Sequence, residues 1–564
     1  MCHTILVTVN SAYPDRPDHL DHLVRRSWTP AGGQDAILPP HATRWLASRT
    51  GLAARSTPVA PDSALTVADS TLPEQAHKAL CAAVGDRHVL TGRTDRLGRT
   101  GGLSYVDLLR HRGVGELTVP DAVVVPADPD EVQRVVEVCV EHGIGLVPFG
   151  GGTSVVGGVS ALRGDKAAVV VLDLARLDKL VSVDPVSRLA VFQAGVVGPE
   201  AERLLAAHGL TLGHVPQSFE RATIGGFAAT RGSGQSSAGY GRFEDMVEGV
   251  RVATPRGDWR LGVAPASAAG PDLRQLVVGS EGAFGVITEV TVRVRELPTV
   301  RRYEGFVLDG WEAGAGAVRA LAQQRVLADV TRLSDPQETE VAFTMSGGWK
   351  TALVRKYLRL RGKLEPCLLI LGWEATSTEE LAHRRRATLR ALRAFRPVSL
   401  GTAAGESWRH GRFSGPRQRD ALMDKGVCVE TLETATYWST LAALRSAVRA
   451  ALINSLTADG RSPIVACHIS HAYETGASLY FTTIVPRTDD DQEAQWQQAK
   501  AAACEAISGN GDGPLGTISH HHAVGVDHAP YLPREIGDLG VDVLAAVKRT
   551  LDPDGVLNPG KLVF

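Results

Sequence analysis

From residue 121 onward the apolar positions fall into short β-rich runs at 122–125, 145–149, 168–172, 189–194, 249–253 and 286–294. Between some of these runs, at 130–142 and 199–208, they recur every three or four residues instead, the spacing of an amphipathic helix. Together the two periods predict a mixed α/β body ending near Pro298. Upstream, residues 41–118 read as mostly helical, most clearly at 72–84 and 105–110. Past residue 299 the pattern changes: long Arg/Ala/Leu helices at 377–395 and 437–456 alternate with strands at 368–373 and 478–485. That alternation predicts a second, α+β body with an antiparallel sheet. A further helix is expected at 541–551, ahead of a closing Leu557-Asn-Pro-Gly-Lys561. The expected class is therefore α+β (mixed α/β), divided as 1–118, 119–298, 299–510 and 511–564. Residues 1–40 show no period and suggest no function, and the polar, Gly-containing stretch 334–349 is expected to be a lid loop.

At 564 residues the chain exceeds what one core organises. A formal net charge of −2 without a basic stripe leaves no electrostatic case for nucleic acid. Seven scattered cysteines without a C-x-x-C pair argue against a disulfide framework or a zinc site and suit a reducing compartment. No apolar run approaches the ~18 residues of a membrane span. Arg25-Arg26 is followed by Ser-Trp-Thr-Pro30 where an export signal needs apolar residues, so the cytoplasm is the expected location.

Three glycine-rich turns change the picture. The first, Pro148-Phe-Gly150-Gly151-Gly152-Thr153-Ser154-Val155, follows a helix and a short strand, and its glycines remove every Cβ from one side of the backbone. Successive amides can then converge on an anion, with Thr153 and Ser154 adding hydroxyls. It is neither a P-loop nor a Rossmann fingerprint, and taken alone it could be a tight turn. The second joins Thr223-Ile-Gly225-Gly226 to Thr230-Arg-Gly-Ser233-Gly; the third is Gly279-Ser-Glu281-Gly282-Ala-Phe-Gly285-Val286-Ile287. Three such turns in one body suggest a long phosphate-bearing ligand lying along exposed backbone, hence a dinucleotide cofactor.

In order and wording these turns resemble the vanillyl-alcohol-oxidase/PCMH class of FAD-binding flavoproteins, and Pro120-Asp-Ala-Val-Val-Val-Pro126 resembles the opening of its flavin domain. The resemblance implies a two-subdomain PCMH-type flavin domain plus a cap, and FAD contacts from the three turns and from Gln217 and Ser218. Thr153 stands where covalent members carry the flavin-linked His, which implies dissociable FAD. Further on, Arg419-Asp420, Glu430-Thr-Leu-Glu-Thr434, His468-Ile-Ser-His-Ala-Tyr473 and Ser519-His520-His521-His522 resemble the alkyldihydroxyacetonephosphate synthase family.

That family implies replacement of the acyl group of acyl-dihydroxyacetone phosphate by a fatty alcohol, with flavin N5 as the trap. Arg419 would hold the phosphate, Tyr473 move the proton, and His520, His521 and His522 stabilise charge near the flavin. Long-chain substrates imply peripheral membrane contact, and a homodimer is expected. Gln217 departs from the Asp common at its position, and Arg409, Arg412 and Arg417 are rival anion clamps. In a strand, His520 and His522 would share a face with His521 opposite. A metal site, a polar flavin lining and structural histidines are all open readings. With only Asp527 and His528 near as further ligands, lining is preferred and no metal is expected. The rival function is an FAD-linked oxidase or dehydrogenase of a 2-hydroxy acid or a secondary-metabolite alcohol. A third reading is an inert binding module, which would be colourless.

Overall fold

The computed structural model describes residues 24–28, 38–52, 59–458, 460–509 and 513–563. Much of the stretch 1–40 thus lies outside the described residues.

The parallel pairing expected of continuous apolar runs appears in a four-stranded sheet, ordered Val89–Leu90, Ala122–Val124, Ala168–Asp173, Ile144–Phe149. Its strands after the first are mutually parallel. The helix Pro129–His142 makes the crossover; Asp128 caps it by accepting the amides of Asp130 and Glu131, and Gly143 closes it in the left-handed region. A five-stranded antiparallel sheet follows, ordered Leu180–Asp184, Leu189–Gln193, Val286–Arg293, Val247–Thr254, Gly257–Leu261. These two sheets share one apolar core, and the glycine turns lie beside them. The third sheet is antiparallel and seven-stranded: Val398–Leu400, Val300–Asp309, Pro366–Ala375, Val330–Ser334, Ile464–Ile469, Gly476–Pro486, Val427–Tyr437. Helices Trp311–Gln323, Leu441–Leu456 and Gln492–Ser508 cover it with a second core.

Several expectations give way to tertiary structure. The segment 41–118 serves both cores: Ala76, Leu80 and Ala83 pack into the first, Leu46, Leu103 and Leu108 into the second. The helix expected at 437–456 begins at Leu441, because Tyr437 still pairs with Gly476 as the last strand residue. The stretch 334–349 is no loop: Pro336–Ser346 is helical, with Asp335 accepting the Glu338 amide at its start.

The end of the chain returns to the first sheet. Leu557 bridges Leu146 in parallel, the Leu146 amide donating to Val556 and the Asn558 amide to Leu146. Asn558 Nδ2 donates to the carbonyls of Gly158 and Glu281, and Lys561 Nζ donates to that of Ser160. The last residues thereby join the first glycine turn to the third.

Candidate active site

The three glycine turns meet because backbone packs on backbone. A Cβ on Gly151 would fall 2.1 Å from the Arg221 carbonyl oxygen, and one on Gly282 would fall 2.7 Å from the Pro148 ring. Only glycine permits that approach. The result is one wall of a cavity of about 820 Å³. Pro148, Gly150, Gly151, Gly152, Thr153, Ser154 and Val155 line it; so do Gln217, Ser218, Thr223, Gly225, Gly226, Thr230, Ser233, Glu281, Gly282, Gly285 and Ile287. Val286 is the exception. Strand alternation turns it into the core, while Gly285 and Ile287 on either side face the cavity.

This wall suits an anionic dinucleotide. Among the described residues the amides of Gly150 to Ser154 donate no hydrogen bond to protein, and the buried Ser233 Oγ has no partner. Such donors would cost stability if they stayed unmatched, and a pyrophosphate accepts them.

The opposite wall comes from the large sheet. Arg419 and Arg412 line it; Arg419 Nη1 lies 3.9 Å from Glu430 Oε1, and among the described residues Arg419 Nε and Arg412 Nη1 have no acceptor. Arg417 and Arg409 do not line it; they are held by Glu220 and Glu406. An arrangement the sequence did not announce stands beside them: Arg332 Nη2 donates to Glu338 Oε1 at 2.8 Å, and His468 Nδ1 lies 2.9 Å from the same oxygen. Burial works against the Glu338 carboxylate, but Arg332 and His468 outweigh it and hold its pKa below the usual range. The D-x-x-E start signature at Asp335 and Glu338 was the available signal for the helix that carries it.

The triple histidine does not form a strand, so the expected alternation of faces fails. Instead the segment wraps around Glu433: the amides of His520, His521 and His522 donate to its carboxylate at 2.7, 3.0 and 2.8 Å, and Ser519 Oγ donates at 2.8 Å. Burial opposes that carboxylate; the histidine rings where they are protonated, and the amides at any pH, outweigh it and hold its pKa well below the ordinary range. His521 and His522 thereby reach the cavity. His520 and Tyr473 stand outside the cavity lining, and a hydrogen-bonded line leads to them. His521 Nδ1 is 3.0 Å from His520 Nδ1, and His520 Nε2 is 2.6 Å from the Tyr473 hydroxyl. His471 stacks on His520 with centroids 5.0 Å apart, and the nitrogens of His471, His520 and His521 lie within 4.8 Å of one another. Both nitrogens of His520 are already engaged within this line, which favours hydrogen bonding over coordination.

Burial lowers the pKa of His520, His521 and His522, so at neutral pH they act as neutral hydrogen-bonding groups. Burial likewise raises the Tyr473 phenol, with Arg242 opposing it. Arg242, another residue the sequence did not single out, donates from Nη2 to the His520 carbonyl at 2.7 Å. Trp28, from the stretch 1–40 read as without function, also lines the cavity. Its indole N–H donates to Glu220 and its amide to Asp420, which ties the two walls together.

The family model described as "FAD binding domain" matches residues 120–261, and that of "FAD linked oxidases, C-terminal domain" matches 297–562. The alkyldihydroxyacetonephosphate synthase of Dictyostelium discoideum is 32% identical over 482 residues, covering 83% of this chain and 77% of that protein. A solved alkyldihydroxyacetonephosphate synthase superposes with a TM-score of 0.80 at 28% identity, covering 93% of this chain and 92% of that one. Substrate-bound p-cresol methylhydroxylase shares the fold, with a TM-score of 0.63 at 16% identity over 90% of this chain and 98% of that one.

Proposed function

Because the chain belongs to the alkyldihydroxyacetonephosphate synthase family of FAD-dependent flavoproteins, we propose that it exchanges the acyl group of an acyl-dihydroxyacetone phosphate for a long-chain alcohol. The observation that carries this reading is the continuity of the cavity. One cavity is lined by the glycine turns, by Arg419 and His521, and by the apolar side chains of Val341, Phe343, Met345, Leu368 and Leu400. A phosphate, a reacting centre and an aliphatic chain each find matching chemistry along it.

FAD, when bound, supplies a ring nitrogen able to carry the three-carbon unit between departure of the acyl chain and arrival of the alkyl chain. Thr153, at the place where covalent members carry the flavin-linked histidine, offers the flavin no such bond, which supports a dissociable cofactor. The open donors of Arg419 and Arg412 bind the phosphate, for which a guanidinium fork is suited. Neutral His521 receives the proton leaving the substrate carbon at the cavity wall, and the line through His520 to Tyr473 moves it away.

The test is anaerobic. Acyl-dihydroxyacetone phosphate added alone should bleach the oxidised flavin band and release fatty acid, and a long-chain alcohol should restore the band with formation of the ether. An unchanged spectrum, with bleaching by a 2-hydroxy acid instead, would replace this reading with the oxidoreductase one that the match to FAD-linked oxidases supports.

The same reading needs access for lipids. Among the described residues no helix is long and apolar enough to cross a membrane. The helix Gly348–Leu360, which follows the cavity-lining Pro336–Ser346, is of a different kind. Trp349, Leu353 and Leu360 are 70%, 55% and 77% exposed, and Leu364 just beyond is 76% exposed. Lys350, Lys356, Arg359 and Arg361 flank them. An apolar stripe with basic flanks suits the surface of an anionic bilayer, where each cation contributes about 1 kcal/mol. Trp349→Glu combined with Leu353→Glu is expected to abolish co-sedimentation with phosphatidylserine-containing vesicles, while turnover of detergent-dispersed substrate persists. Retained co-sedimentation would exclude this face as the contact.

A further inference from the structure

Residues 24–28 carry a cation to the back of the flavin wall. Arg25 is 3% exposed, and its Nη2 donates to the carbonyls of Gly101, Gly102 and Gly152, at 2.8 and 2.9 Å for the first two. Its guanidinium lies 5.5 Å from the centroid of the Phe149 ring. Gly152 is in the left-handed region at φ +59°, and a Cβ there would fall 2.9 Å from both Nη1 and Nη2. Glycine at 152 therefore serves the guanidinium as well as the turn.

What Arg25 lacks is a directly paired anion. Among the described residues no carboxylate pairs with it, and Nε and Nη1 have no acceptor. The nearby Asp107 is engaged instead by Ser104 Oγ and the Gly102 amide. Burial, with Arg221 adding to it, pulls the Arg25 guanidinium down to about 9. Asp107 offsets that charge only from a distance, and a buried cation without a direct ion pair is costly unless a ligand adds one. Gly152, whose carbonyl Arg25 holds, belongs to the cavity-lining stretch 150–154, whose amides donate to no described residue.

We propose that Arg25 is a positioning residue for the FAD pyrophosphate. By holding the Gly152 carbonyl on the far side and tying it to Gly101 and Gly102, it turns the loop amides toward the cavity, and its charge offsets that of the phosphates across the backbone. It touches neither flavin ring nor substrate, so its effect should follow the phosphates of the ligand and nothing else.

The experiment compares FAD with riboflavin, which has the ring and no phosphate. Flavin is removed from the full chain and each ligand is titrated back, followed by flavin fluorescence. Arg25→Met is expected to weaken FAD about 10- to 100-fold while riboflavin affinity stays within about 2-fold, the size of one uncompensated charge at short range. Arg25→Lys keeps the charge but cannot hold the same carbonyls, so it should fall between. Equal weakening of both ligands, or of neither, would overturn the proposal. If Arg25→Met does not fold, Arg25→Lys decides on the same ratio: a selective loss for FAD supports the role, and an unchanged ratio removes it.

Discussion

Tyr473→Phe is expected to lower ether formation by about 10²- to 10⁴-fold while leaving FAD content and substrate affinity near their original values. The substitution removes one oxygen, the atom 2.6 Å from His520 Nε2, and leaves the ring in place. The backbone carbonyl of residue 473, which accepts from the Trp438 indole, is untouched. A loss confined to kcat would locate the hydroxyl in the proton path. The measurement is single-turnover release of fatty acid at saturating substrate, because that step precedes alcohol binding. A rate within about threefold of the original would sink the assignment of Tyr473.

The second large effect concerns the flavin wall. Gly151→Ala places a methyl 2.1 Å from the Arg221 carbonyl oxygen and 2.8 Å from the Ala222 Cα. Both are backbone atoms, so no rotamer change relieves the contact and the two turns must part. We expect a destabilisation of about 3 kcal/mol, read as a lower thermal midpoint, together with loss of bound flavin on gel filtration. Gly143→Ala is the control. It has a positive φ of +61° at the end of a helix but nothing within 4 Å of the added methyl. It should cost about 1 kcal/mol and leave flavin content unchanged. A flavin-replete Gly151→Ala protein would show that the turns are less tightly joined than their geometry implies.

Much of the flavin wall was legible beforehand, because glycine spacing is a direct record of where backbone meets backbone or ligand. Gly151 and Gly282 could be singled out by type alone. The histidines were different. Their composition marked them, but alternation misplaced them, since the shape of the segment is imposed by Glu433 more than eighty residues away. No local period encodes such a contact. Trp28 and Arg25 sit in an irregular stretch, where residues are held by partners distant in sequence and leave no pattern to read. Glu433 itself lay in plain view within Glu430-Thr-Leu-Glu-Thr434, yet a carboxylate in a strand declares nothing until its acceptor geometry is known.

The return of residues 556–561 to the first sheet has a consequence for biosynthesis. The strand Ile144–Phe149 takes its outer partner, and the first and third glycine turns take their common clamp, from residues added some four hundred positions later. While those residues are still inside the ribosomal tunnel, the cofactor wall lacks its brace. Domains usually fold in order of emergence, but here the early domain completes its contacts only with the late segment. Flavin therefore meets a complete wall only after Val556–Lys561 have been made, and a chain truncated before Val556 is expected to lose its cofactor on gel filtration.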